Sequence, residues 1–141
     1  MPELPEVETV TRGLNKLIVG KNIIATSCDS LKSFPIDQRD IEDFVLNSTI
    51  ESVRRRAKMI VIDLSTKKSL VVHLKMTGQL VYKGSQDWGG GHPSDSLVGS
   101  LPDKSTRIIF DLIISRYSID KSINYLICLN KATMIIRNGS P

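Results

Sequence analysis

Apolar positions recur at helical spacing near the start of the chain. Val7, Val10, Leu14, Leu17 and Ile18 fall on one stripe, which predicts a helix over 5–18. Pro5 suits the first helical position, Glu6 and Glu8 sit at the positive end of the helix dipole, and Gly20 stops the run. From Lys21 onward the pattern shortens to that of strands. Residues 21–27 are apolar and β-branched and predict a strand; 30–37 reads as a turn-rich link around Pro35. Residues 40–46 predict a short helix with Ile41, Phe44 and Val45 inward. Residues 49–64 read as one long strand, or two joined at a basic run. Two more strands follow at 69–74 and 79–83, with 75–78 turning between them. The stretch 84–104 is rich in Gly, Ser, Pro and Asp, and predicts a long loop with Gly89-Gly90-Gly91-His92-Pro93 as its flexible centre. Loops of this length are usually functional or disordered. Strand signals resume at 106–114, 123–129 and 133–137. The whole reads as mainly β, with one long N-terminal helix and a second short one.

Composition narrows this picture without redirecting it. A chain of 141 residues fits one domain, and 40% hydrophobic residues supply a packed core. The net charge of +4 permits nucleic-acid binding without establishing it. Cys28 and Cys128 are far apart, and neither has a second Cys or a His at metal-ligand spacing, so no zinc site is predicted. The expectation is two reduced, buried thiols. The acidic N-terminus is unlike a secretory signal, and no segment approaches a membrane-spanning run. A soluble, cytoplasmic protein is expected.

The candidate chemistry lies at the N-terminus. If Met1 is removed, Pro2 becomes a terminal secondary amine, titrating near pH ~8. Such an amine can attack a sugar C1′ and form an iminium. Pro2-Glu3-Leu4-Pro5-Glu6-Val7-Glu8-Thr9 opens the chain, with Arg12-Gly13-Leu14 behind it. Two further motifs follow in order: Val53-Arg54-Arg55-Arg56-Ala57-Lys58, then Val72-His73-Leu74-Lys75-Met76-Thr77-Gly78-Gln79-Leu80. A charge run alone is usually a solvated strand face, and a lone His or Met beside a turn is usually structural. Together, the three motifs resemble the N-terminal catalytic domain of the formamidopyrimidine-DNA glycosylase and endonuclease VIII family, over about Met1 to Leu112.

The resemblance implies a two-layer β-sandwich with flanking helices, whose long first helix presents Pro2 and Glu3 to a DNA cleft. It implies base-excision repair: a bifunctional glycosylase that removes oxidised purines (formamidopyrimidine, 8-oxoguanine) and cuts the strand by β- and δ-elimination. Pro2 would be the nucleophile and Glu3 the general acid/base, with Glu6 helping to organise the site. Lys58 would reach the lesion and a neighbouring phosphate. His73 would contact phosphate, and Met76 would be the wedge that fills the gap left by the flipped nucleotide. Arg55 and Arg56 would meet DNA, although strand alternation sends neighbouring arginines to opposite faces. Lys75 stands where relatives often carry Gly. The Arg54–Lys58 and His73–Thr77 spellings lean towards the purine branch. The implied partner is damaged double-stranded DNA, bound by a monomer away from any membrane.

After Leu112 the sequence departs from the family pattern. Residues 113–141 lack the family's Asp-x-Arg-x-Phe-Gly and read as a divergent tail that completes part of the sheet. The helix–two-turn–helix element and the four-cysteine zinc finger of full-length relatives are not in the sequence, so no cofactor is expected. A chain truncated or frameshifted near residue 113 is one expectation from this change. The alternative function is an inactive or binding-only remnant with weak, salt-sensitive DNA binding.

Overall fold

A computed structural model describes residues 4–28, 34–75, 78–84, 88–91, 106–129 and 132–138, with backbone alone at 4–5 and 88–91. The first helix, α1 (Leu4–Ile18), buries Val7, Val10, Leu14 and Ile18 along the predicted stripe. Thr11 interrupts that stripe but is tolerated, because its hydroxyl donates to the Val7 carbonyl one turn back at 2.8 Å. Strand β1 (Asn22–Cys28) follows, then α2 (Gln38–Asp40), whose first turn is capped by Asp37 accepting from the Arg39 amide at 3.3 Å. The chain continues as a single π turn, Ile41–Val45, closed by the Leu46 amide on the Ile41 carbonyl.

The remaining strands are β2 (Ile50–Arg56), β3 (Met59–Leu64), β4 (Lys68–His73), β5 (Gln79–Lys83), β6 (Trp88–Gly91), β7 (Thr106–Ile113), β8 (Asn124–Leu129) and β9 (Thr133–Asn138). They form two antiparallel sheets, one of five strands in the order β1-β7-β8-β5-β6 and one of four in the order β2-β3-β4-β9. The sheets face one another across a core. Ile23, Phe110, Leu112 and Leu126 come from the first sheet, and Ile50, Ile62, Leu70 and Val72 from the second. Phe34 meets Phe110 edge-on, with ring centroids 5.9 Å apart. Helix α1 packs on β2, the edge of the four-stranded sheet. There the Asn15 side-chain oxygen accepts from the Val53 amide at 3.2 Å, satisfying an edge donor that would otherwise be open to pairing.

Three expectations are corrected. The predicted loop 84–104 contains a strand: β6 pairs with β5 through Gly90↔Leu80 and Gly89↔Val81, so a tertiary partner overrides the glycine signal. The predicted helix over 40–46 is instead one short α turn running into a π turn. Phe44 is half-buried, with the Lys68 ammonium 4.7 Å from its ring centroid. Cys128 is buried as expected, but Cys28 is exposed at the end of an edge strand. The tail after Leu112, read as completing part of the sheet, supplies β8 between β7 and β5 and β9 beside β4.

Candidate nucleic-acid interface

Sheet register brings part of the sequence-predicted site together. Arg56 pairs with Met59, Met59 with His73, and His73 with Thr133. Cross-strand partners share a face, so these four side chains form one row across the outer side of the four-stranded sheet, at its end. Arg56 is exposed, while Met59 and His73 are half-buried. Lys58 is half-buried in the β2–β3 turn beside that row. The turn is tight: Ala57 takes a left-handed φ of 53°.

The neighbouring arginines do different things. Arg55 is one residue out of phase with Arg56 and faces α1. Its Nε donates to Glu8 at 3.3 Å, and its Nη1 donates to the Ala57 carbonyl at 2.9 Å. Glu8 also pairs with Arg12 at 3.6 Å, one turn along the helix. One guanidinium therefore ties the helix that carries the opening motif to the turn that carries Lys58. Arg54 faces outward, onto Asp63, with Nε–Oδ2 at 2.8 Å and Nη2–Oδ1 at 3.3 Å. Ser52 and Ser69 each donate to the same carboxylate at 2.6 Å. Burial works to raise the Asp63 pKa, but these donors outweigh it and hold the carboxyl below its ordinary range. The Asp63 hydrogen bond raises Arg54 in turn.

The second turn at this end joins β4 to β5. The Gly78 amide donates to the Leu74 carbonyl at 2.8 Å, and Lys75 takes a left-handed φ of 59°. A Cβ on residue 78 would overlap that carbonyl, so the turn accepts only glycine there without shifting.

Residues 1–115 match the formamidopyrimidine-DNA glycosylase N-terminal domain profile. The chain belongs to this family. A curated formamidopyrimidine-DNA glycosylase from Carboxydothermus hydrogenoformans is 39% identical over 115 residues, which cover 79% of this chain and 38% of that protein. One from Streptococcus pyogenes is 46% identical over 82 residues, covering 56% of this chain and 28% of the relative. This chain thus spans less than half the length of these relatives. Among solved structures, a complex of Lactococcus lactis Fpg with DNA containing an abasic site superposes with a TM-score of 0.71 at 22% identity. That superposition covers 96% of this chain and 43% of that one. A complex of a Lactococcus lactis Fpg mutant with DNA containing Fapy-dG gives 0.72 at 23%, over 97% and 44%. The likeness in fold continues through β8 and β9, past the end of the sequence match.

Within this glycosylase-family domain, Lys58, Arg56 and His73 gather at one end of the sandwich. Glu6 is exposed in the first turn of α1. Arg55, expected on DNA, has its guanidinium turned to Glu8 and Ala57 instead. Pro2, Glu3 and Met76 lie outside the described residues. Sequence reasoning missed the tethers: Glu8–Arg55, Asn15–Val53 and the four-residue cluster around Asp63. The Glu8–Arg12 spacing is visible in the sequence. The Glu8–Arg55 pair, 47 residues apart, carries no local signal. Cys28 and Cys128 both pair with Ile108, so a strand separates them. No group of three His, Cys, Asp or Glu stands together among the described residues.

Proposed function

We propose that this chain is the catalytic domain of a DNA glycosylase with AP lyase activity, acting on oxidised purines in duplex DNA in the cytoplasm. One observation carries the reading: a family-specific opening motif on the helix that Arg55 ties to the Lys58 turn, beside Arg56 and His73. In this reading the Pro2 nitrogen, freed by removal of Met1, attacks C1′ of the flipped nucleotide. The N–C1′ bond forms as the glycosidic bond breaks, and the base leaves with its electron pair and a proton. Glu3 protonates the ring oxygen as the sugar opens, giving a neutral hydroxyl and an iminium. Loss of a C2′ proton then expels the 3′ phosphate, and a second elimination releases the 5′ phosphate. Glu6 helps to organise the site. Lys58, Arg56 and His73 neutralise phosphates around the lesion, and Met76 fills the vacated stack. No cofactor takes part, and the domain acts as a monomer.

Borohydride reduction during incubation with an abasic-site duplex tests this reading, since it converts the iminium to a stable amine. A covalent protein–DNA complex is expected. Protein with a verified Pro2 terminus that forms no complex would overturn the lyase reading. The departure from the family pattern after Leu112 favours, as a second reading, binding without turnover. That outcome would show as salt-sensitive duplex affinity with no adduct.

A further inference from the structure

The outer face of the five-stranded sheet holds a concavity of about 890 Å³, which the proposed glycosylase chemistry does not use. Its floor is built from cross-strand partners: Ile109 beside Ile127, and Asp111 beside Tyr125. Ile114 and Ile123 stand at its rim, each 44% exposed. Part of the wall, from Asp120 to Ile127, comes from residues beyond 115, where the family match ends.

Asp111 is the unusual member. It is half-buried, and its carboxylate has no hydrogen bond or ion pair among the described residues. Burial alone moves its pKa, and moves it up. Lys83 lies in the same row on the far side of Tyr125, two strand spacings or about 10 Å from Asp111. No ion pair joins the two among the described residues. Lys21 also lines the concavity and sits 5.5 Å from the Tyr82 ring centroid. A desolvated carboxylate left unpaired over an apolar floor is costly unless a cation arrives from outside. The 36% exposed ring of Tyr125 adds a π face next to it. Asp120 also lines the concavity, but it is exposed and already accepts from the Ser122 amide at 2.9 Å. The two lysines offset its charge, and the volume fits a drug-sized molecule rather than a bare ion.

We propose that this concavity binds a single organic cation, an ammonium or guanidinium on an apolar body. The charged group is seated on Asp111 and Tyr125, and the body lies along Ile109 and the exposed rim residues Ile114 and Ile123. The site is independent of the glycosylase reading, and nothing in its test involves DNA.

The experiment is an NMR titration of the full chain, following the Ile109 and Ile127 methyls and the Tyr125 ring. The probes are 2-phenylethylammonium, its neutral analogue 2-phenylethanol, and N-acetyl-arginine methylamide. Saturable shifts are expected with a cationic probe. The dissociation constant should rise about tenfold or more both for 2-phenylethanol against wild type and for 2-phenylethylammonium against Asp111→Asn. The carboxyl carbon of Asp111 should titrate at lower pH when the cation is bound. Tighter binding of the capped arginine would identify a basic side chain of a peptide as the source, and tighter binding of the amine a free small molecule. Both results uphold the site. Equal affinity for 2-phenylethanol, unchanged affinity in Asp111→Asn with wild-type circular dichroism, or shifts that do not saturate with either cation would overturn it.

Discussion

Two aspartates stand on the outer faces of the two sheets, and their surroundings are opposite. Asp63, on β3, receives Arg54, Ser52 and Ser69 and is held ionised below the ordinary carboxylate range. Asp111, on β7, receives none of these and is pushed the other way by burial. The contrast extends to the regions around them. Near Asp63 and the Lys58 turn, charged groups are tied to one another or to backbone, as in Glu8–Arg55–Ala57. On the other face, the Asp111 carboxylate has no side-chain partner among the described residues. Tyr117 is 89% exposed and Ile119 fully so, both on the segment between β7 and β8. Tied polar groups fix geometry, as the proposed catalytic end would require. Open ones are free to meet a ligand.

Breaking the tied end should have the larger consequences. Gly78→Ala forces a Cβ against the Leu74 carbonyl and should cost roughly 3 kcal/mol or more, read by chemical denaturation, with loss of duplex affinity as the end of β4 shifts. Arg55→Ala releases α1 from the Lys58 turn. It should slow borohydride trapping about tenfold while shifting the denaturation midpoint little, since both Glu8 and Arg55 are partly exposed. Arg55→Lys, which cannot span both acceptors, should fall between. Asp63→Ala leaves three donors without their acceptor and should cost about 1 kcal/mol after allowing for solvent screening. Its pH dependence has a definite sign. The Asp63 pKa is lowered in the folded state, so its contribution is present above the ordinary carboxylate range and is lost as pH falls through the folded value. Stability curves of wild type and Asp63→Asn should converge in acid.

Asp111→Asn should give the smallest change, and of opposite sign. A raised folded pKa favours the protonated form, so that contribution is full below the unfolded pKa and disappears as pH rises through the folded one. The variant should therefore be more stable than wild type by a few tenths of a kcal/mol at neutral pH, with no gain near pH ~3. If Asp63→Ala and Asp111→Asn shifted stability in the same direction at pH 7, the contrast between the two faces would fail.

How much of this was legible beforehand follows from the range of each signal. The α1 stripe is periodic over 15 residues, and its burial followed directly. The β2–β3 hairpin was ambiguous in the sequence, because a basic run can sit mid-strand or at a turn. The left-handed Ala57 settles it as a turn. Alternation alone divides Arg54 and Arg56 from Arg55, as the structure does, but it cannot name Asp63 or Glu8 as the partners. Strand β6 was hidden because three successive glycines have no strand propensity of their own, and their pairing with β5 is a tertiary fact. Placement of β8 at the centre of its sheet was equally out of reach, since strand order is not written in local pattern.

The most direct measurement is where DNA attaches. Trapped protein–DNA complex, made with an abasic-site duplex and digested with protease, should carry the sugar on the N-terminal peptide at the Pro2 nitrogen, and Pro2→Gly should change both rate and yield. An adduct on the Lys58 ε-amine with Pro2 unmodified, or no adduct from a correctly processed terminus, would contradict the account.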